Sequence, residues 1–304
     1  MSAEPTVLIQ AEFAEKTYEW PLYNQLERAE PFVYTPSQVL EKTVGFDAAT
    51  YATNLVLWQT LGYSTPPPGA VLTGIAWPAG WGPRNPKLEF PDVRLNLFLQ
   101  AKRPVYYERR PKTIKKLDGV GVPLWAFRVT QHQQKLLEVL SATTQTTAHV
   151  AYASAVFHTN AALFAHMKQG TIVENSTFPS VMALQGHDAW YYWSPGATGA
   201  ANPNPESVEE APLLNRIGTL AREARRYERG DLSWLDLTAR EVIEAAQSSE
   251  GSLHAVGAHF FDDLRTLDRL ADQFELRPSL RAYAQIGLFT TRFDLQWLVV
   301  TGVA

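Results

Sequence analysis

Val93-Arg94-Leu95-Asn96-Leu97-Phe98-Leu99-Gln100-Ala101-Lys102-Arg103 is the most regular stretch of the chain, and its reading orders the rest. Val93, Leu95, Leu97, Leu99 and Ala101 fall on alternate positions, with Arg94, Asn96, Phe98, Gln100 and Lys102 between them. A period of two held over eleven positions, with Pro91 before it and Pro104 after it, predicts a β-strand.

Outward from that strand, Leu136, Leu137 and Leu140 make an apolar stripe that predicts a helix over 131–141. The run of small and β-branched residues over 149–157 predicts a buried strand. Upstream, Thr35-Pro36 reads as an N-cap and first-turn proline that open a short helix to residue 42. Val44-Gly45-Phe46-Asp47 resembles a strand with an acid near its middle. The inferred order is helix, strand, long insertion, strand, helix, strand. The insertion, at about 60–90, is rich in proline and carries Trp77 and Trp81. A proline- and glycine-rich loop over 194–205 marks a boundary. Beyond it, 213–229, 237–247 and 257–274 show helical spacing, and 288–300 suits a strand or a buried helix.

At 304 residues, with 45% hydrophobic and 19% charged residues, the chain can bury a sizeable core and is not a disordered sequence. It contains no cysteine, which excludes disulfides, thiolate metal sites and cysteine nucleophiles. Residues 1–10 lack the pattern of a secretory signal, and no stretch of about 18 apolar residues suggests a membrane span, so a cytoplasmic protein is expected. The net charge of −4 speaks against a wholly basic nucleic-acid coat protein.

The chemistry concentrates at the end of the alternating strand. Residues two apart point the same way, so Gln100 and Lys102 share a face, about 6 to 7 Å apart along the strand. An oxygen ligand beside an ammonium is one way to build a metal-dependent phosphodiesterase: the oxygen helps to hold the ion, and the lysine orients water or balances developing charge. From 102 to 116 the sequence carries seven basic residues (Lys102, Arg103, Arg109, Arg110, Lys112, Lys115 and Lys116) against one acid, Glu108, with Tyr106 and Tyr107 among them. In an acidic chain this is a local phosphate-binding pattern. The seven histidines include no H-E-x-x-H pair, and no glycine-rich nucleotide loop occurs.

A helix with a glutamate, a strand with an aspartate, a strand ending in (D/E/Q)-x-K, a helix and a further buried strand resemble the core of the PD-(D/E)xK nuclease superfamily, over residues 36 to 157. The resemblance implies an α/β fold with a mixed sheet, a restriction-endonuclease-like core over 1–200 and a mainly helical C-terminal region over 206–304. It implies Asp47, Gln100, Lys102 and a glutamate as the catalytic set, with Glu41 first and Glu19 in reserve. Asp47, Gln100 and Glu41 would ligate Mg²⁺ or Mn²⁺. Glu19 lies two residues before Pro21, which would place it at the start of a helix. Asp92 is a poorer choice than Asp47, since it lies eight residues from Gln100 on one strand, roughly 26 Å away. Gln100 departs from the usual acid, and a neutral carbonyl holds a hard cation more weakly. The activity so implied is metal-dependent DNA endonuclease action in restriction or anti-phage defence, with Arg103, Arg109, Arg110, Lys112, Lys115 and Lys116 on the DNA and homo-oligomer formation left open. The alternatives are a catalytically inactive nucleic-acid-binding or scaffolding protein on the same fold, favoured by Gln100, and a carbohydrate-binding protein using its tryptophan-rich loops.

Overall fold

The computed structural model describes residues 8–27, 33–34, 93–111, 114, 122–196, 198–202, 206–224, 227, 231–273, 275–276 and 278–301. The expected helix over 35–42, the strand over 44–47, the insertion, Asp47, Glu41, Asp92, Lys112, Lys115 and Lys116 lie outside the described residues. What is described is a mixed α/β fold with two sheets.

The alternating stretch forms β3 (Val93–Ala101), the middle strand of a five-stranded sheet. Its order is β2 (Val33–Tyr34), β11 (Gln296–Thr301), β3, β6 (Ala148–Ala155), β7 (Ser176–Thr177). β3 runs parallel to β6, and the crossover between them contains α2 (Gln131–Thr143), as a parallel pair requires. On its other side β3 pairs antiparallel with β11, Gln296 opposite Leu99.

Alternation along β3 separates two cores rather than a core from solvent. Leu95, Leu97, Leu99 and Ala101 pack with Tyr18, Leu22 and Leu26 of α1 (Glu15–Leu26) and with Leu213 and Ile217 of α4 (Leu213–Glu223). Phe98, on the opposite face, packs with Leu136 and Leu137 of α2 and with residues of three C-terminal helices. These are α5 (Ser233–Ser248), α6 (Glu250–Gln273) and α7 (Pro278–Arg292). Asn96 and Gln100 on that second face are also buried. Asn96 is satisfied there: its amide donates to Thr147 O at 3.1 Å and Thr238 Oγ1 at 2.9 Å, and it accepts from Trp297 Nε1 at 2.9 Å.

The chain leaves this sheet at Lys102-Arg103-Pro104 and enters a second, antiparallel sheet. That sheet has the order β1 (Leu8–Gln10), β4 (Val105–Tyr107), β5 (Leu124–Arg128), β8 (Ala189–Tyr192), β9 (Gly199–Asn202), β10 (Glu206–Val208). Trp125, Phe127, Trp190 and Tyr192 from it join the core around Phe98. A further helix, α3 (Asn160–Gln169), follows β6; the Thr159 hydroxyl caps its start and Gly170 ends it at φ 72°.

Two sequence expectations change shape. α1 begins at Glu15, so Pro21 lies inside the helix and Glu19 in its middle, not at its start. The proline forfeits the bond to the Thr17 carbonyl, but the helix persists because Tyr18, Pro21, Leu22 and Leu26 bury one face on the sheet. The run over 288–300 divides: α7 ends at Arg292, and β11 starts at Gln296. Residues 206–304 therefore supply a strand beside β3 as well as helices.

Candidate active site at the seam of the two sheets

Lys102 sits where the chain crosses between sheets, and its backbone is held on both sides. Its N–H donates to Ala153 O at 2.8 Å, and its carbonyl accepts from Ser154 Oγ at 2.8 Å. The side chain is half-buried. Its ammonium donates to Gln133 Oε1 at 3.1 Å and lies 5.7 Å from the centre of the Tyr152 ring. Burial pushes the Lys102 pKa below its usual 10.5, while the charges of Glu15 and Asp294 oppose that shift.

Those two acids belong to a group of three. Glu15 and Glu19 are one turn apart on α1 and share a face. Asp294 joins them from the turn between α7 and β11, where it adopts a left-handed conformation with φ 54°. Carboxylate oxygens of all three lie within 4.8 Å of one another. Glu15 Oε2 also accepts from Arg103 N at 3.1 Å, which ties the start of α1 to the seam. Burial raises the Glu15 pKa; Lys102 and the Arg103 amide counter this, and Asp294 and Glu19 add to it. Burial likewise raises Glu19, with Lys16 opposing. Lys16 bridges the group from solvent, its ammonium 2.6 Å from Asp294 Oδ1 and 3.0 Å from Glu19 Oε2.

Two glutamines position Asp294. Gln100 Nε2 at 3.4 Å and Gln133 Nε2 at 3.2 Å both donate to the carbonyl of Phe293, the preceding residue. Gln100 is 1% exposed, and its Oε1 is buried without a hydrogen-bond partner among the described residues. Leaving a buried carbonyl unpaired costs about 1–3 kcal/mol. Gln133 thus touches both the ammonium of Lys102 and the backbone beside Asp294.

The donor set suits a hard divalent cation. The three carboxylates supply oxygen donors, the type such an ion takes, with their ligand atoms within 4.8 Å of one another. Glu19 and Asp294 hold a surface ammonium, and with Glu15 they would attract a divalent ion more strongly; Lys16, mostly exposed, is free to withdraw.

Of the sequence-derived residues, Gln100, Lys102 and Glu19 come to one place. Glu15 and Asp294 are additional. The signal for Glu15 was its four-residue spacing from Glu19. Asp294 stood only as an acid before the apolar run Trp297–Val300, and nothing local tied it to Lys102.

The basic stretch divides. The Arg103 guanidinium donates to the Ala11 carbonyl through Nε at 3.0 Å and through Nη2 as well, so it joins β4 to the approach to α1. Arg109 is exposed and Arg110 half-buried in the turn after β4. Ile114 is fully buried on the outer face of the second sheet, with Leu124, Ala126, Ala189 and Tyr191. A cleft of about 420 Å³ opens beside Lys102 and Glu15 against this sheet, and Tyr107, Arg128 and Tyr191 also line it. The histidines have structural roles where their partners are seen: His158 stacks on Tyr106 at 4.1 Å, and His166 shares a hydrogen bond with Thr171.

No protein-family model matches the chain, and comparisons with curated proteins and with solved structures return no match. The functional reading therefore rests on the chemistry of the site.

Proposed function

We propose that the protein is a metal-dependent deoxyribonuclease on a restriction-endonuclease-like core. The observation that carries this is the meeting of Lys102, at the end of β3, with Glu15, Glu19 and Asp294 at the edge of a cleft. The arrangement around β3 supports it. A helix supplies glutamates, the strand after the α2 crossover runs parallel to β3, and an antiparallel neighbour brings an aspartate to the Gln-x-Lys end. Asp294, in the turn that leads into β11, offers the acid that the resemblance places on Asp47.

In this reading Glu15, Glu19 and Asp294 would hold Mg²⁺ or Mn²⁺, and such an ion would supply Lewis-acid chemistry beside the phosphodiester. The ammonium of Lys102, fixed by Gln133, orients the attacking water and balances charge that develops on phosphate oxygens. Water adds to phosphorus, the bond to the leaving sugar oxygen breaks, and the products are a phosphate monoester and an alcohol. Gln100 acts through position: its amide holds the Phe293 carbonyl, and through it Asp294.

Incubation of plasmid and of single-stranded DNA with Mg²⁺ tests the reading. Cleavage should stop with EDTA and fall by at least about a hundredfold in Asp294→Asn, as for loss of a group that positions transition-state charge. Cleavage that persists unchanged in Asp294→Asn overturns the assignment.

A further inference from the structure

The cleft beside Lys102 and Glu15 has the size of a small-molecule site rather than of a groove for a duplex. Its volume of about 420 Å³ lies near the lower end of pockets that enclose a small molecule, about 300–1,000 Å³. Its floor comes from the second sheet. Ala126 on β5 pairs with Tyr191 on β8, and Ala189 on β8 pairs with Arg128 at the end of β5. Both alanines are nearly buried, with Ile114 packed against them, so the open part of the cleft lies towards Tyr107, Lys102 and Arg128. Tyr107 and Tyr191 stand at that face with ring centres 5.7 Å apart and planes tilted by 52°. Tyr191 is buried and Tyr107 half-buried, so Tyr107 is the ring at this cleft on which a nucleobase can stack.

The charges lining the cleft are Lys102, Arg103 and Arg128 against Glu15. Arg103 is committed to Ala11, but Arg128 is exposed at the strand end, with no carboxylate partner among the described residues. A guanidinium there and an ammonium at Lys102 mark two places for phosphate in one cleft. Ile114, near the end of the basic stretch in the sequence, is buried against Ala126, Ala189 and Tyr191, three residues that line the same cleft.

We propose that this cleft seats one unpaired nucleotide beside the phosphate at Lys102, and that the substrate is single-stranded DNA. Which phosphate reacts rests on the nuclease reading; occupation of the slot does not. A base pair would have to open before its nucleotide entered, so a duplex pays an unstacking and unpairing cost of a few kcal/mol that a single strand avoids.

The test is fluorescence anisotropy in EDTA, with a labelled oligothymidylate of about twelve nucleotides and a hairpin duplex of matched length. The single strand should bind at least about tenfold more tightly than the hairpin, as expected from that opening cost. Arg128→Ala, a change at an exposed position, should weaken single-strand binding by about tenfold and lower the salt dependence by about one ion. Tyr107→Ala should weaken it further, and Tyr107→Phe should keep it, because stacking needs the ring and not the hydroxyl. Equal binding of the hairpin, or single-strand binding insensitive to Arg128→Ala, overturns the proposal. The two readings fail separately. Arg128-dependent preference for single strands without cleavage in Mg²⁺ removes the nuclease and leaves the slot. Asp294-dependent cleavage with duplex preference does the reverse.

Discussion

Replacing Lys102 with methionine separates the charge of this residue from its packing. Methionine keeps an unbranched apolar stem over the Tyr152 ring and deletes the ammonium. The loss is one charge-assisted hydrogen bond to Gln133 at 3.1 Å and one cation–π contact at 5.7 Å, worth about 1.5–3 and 0.5–1 kcal/mol. Against this stands the burial that holds the lysine below its usual 10.5 despite Glu15 and Asp294. A lowered lysine pKa means the folded state binds its proton less tightly than the unfolded chain does. Stability from this group therefore rises as pH rises towards 10.5, and at neutral pH the charge is a net burden on the fold. The terms offset, so the melting temperature should move by no more than about 5 °C. Activity should not be spared: single-turnover cleavage in Mg²⁺ should fall by about 10²–10³, the usual loss of a preorganised charge. Parallel calorimetry and cleavage assays make the comparison. Wild-type cleavage by a well-folded Lys102→Met protein would refute the catalytic role, and collapse of the fold would show the lysine to be structural.

Three further outcomes follow from the same geometry. Lys16→Ala removes the ammonium that competes with a cation for Asp294 and Glu19, so half-saturating Mg²⁺ should drop by about two- to fivefold, and the melting temperature in EDTA should fall; an unchanged Mg²⁺ titration would contradict this. His149, held down to about 3 by burial and by Arg216, stays neutral in the fold while the unfolded chain protonates below 6.5. Stability should therefore decline as pH falls from 6.5 towards 3, by at most about 1.4 kcal/mol per pH unit, and urea midpoints of His149→Leu should decline less steeply. In Gly199→Ala, the new Cβ would meet Trp190 Cζ2 at 2.4 Å and the Tyr191 carbonyl at 2.6 Å. Because Trp190 is fully buried, the variant should lose about 1–3 kcal/mol or more in chemical denaturation, and wild-type stability would show that β8 and β9 give way freely.

Local pattern carried the central strand, the crossover helix and the parallel strand beyond it. Each reads from its own periodicity: two for Val93–Ala101, three to four for Leu136, Leu137 and Leu140, and an apolar run for Ala148–Ala155. Burial of Asn96 and Gln100 did not read from the sequence, because nothing local marks a polar strand position as buried. Their partners, Thr238, Trp297 and Phe293, come from the far end of the chain. The extent of α1 was hidden by Pro21, whose local preference for a first turn lost to the burial of Tyr18, Leu22 and Leu26.

By itself, then, the sequence determined that Gln100 and Lys102 close an alternating strand, since a side-chain period of two is a property of the backbone alone. It also determined that Glu15 and Glu19 share a helical face once a helix runs there. Only the tertiary structure decided that Asp294 completes the group, because an antiparallel register between β11 and β3 is what carries it to Lys102. Ligand groups are set by distance in space, and the strand that closes that distance lies almost two hundred residues away in the chain.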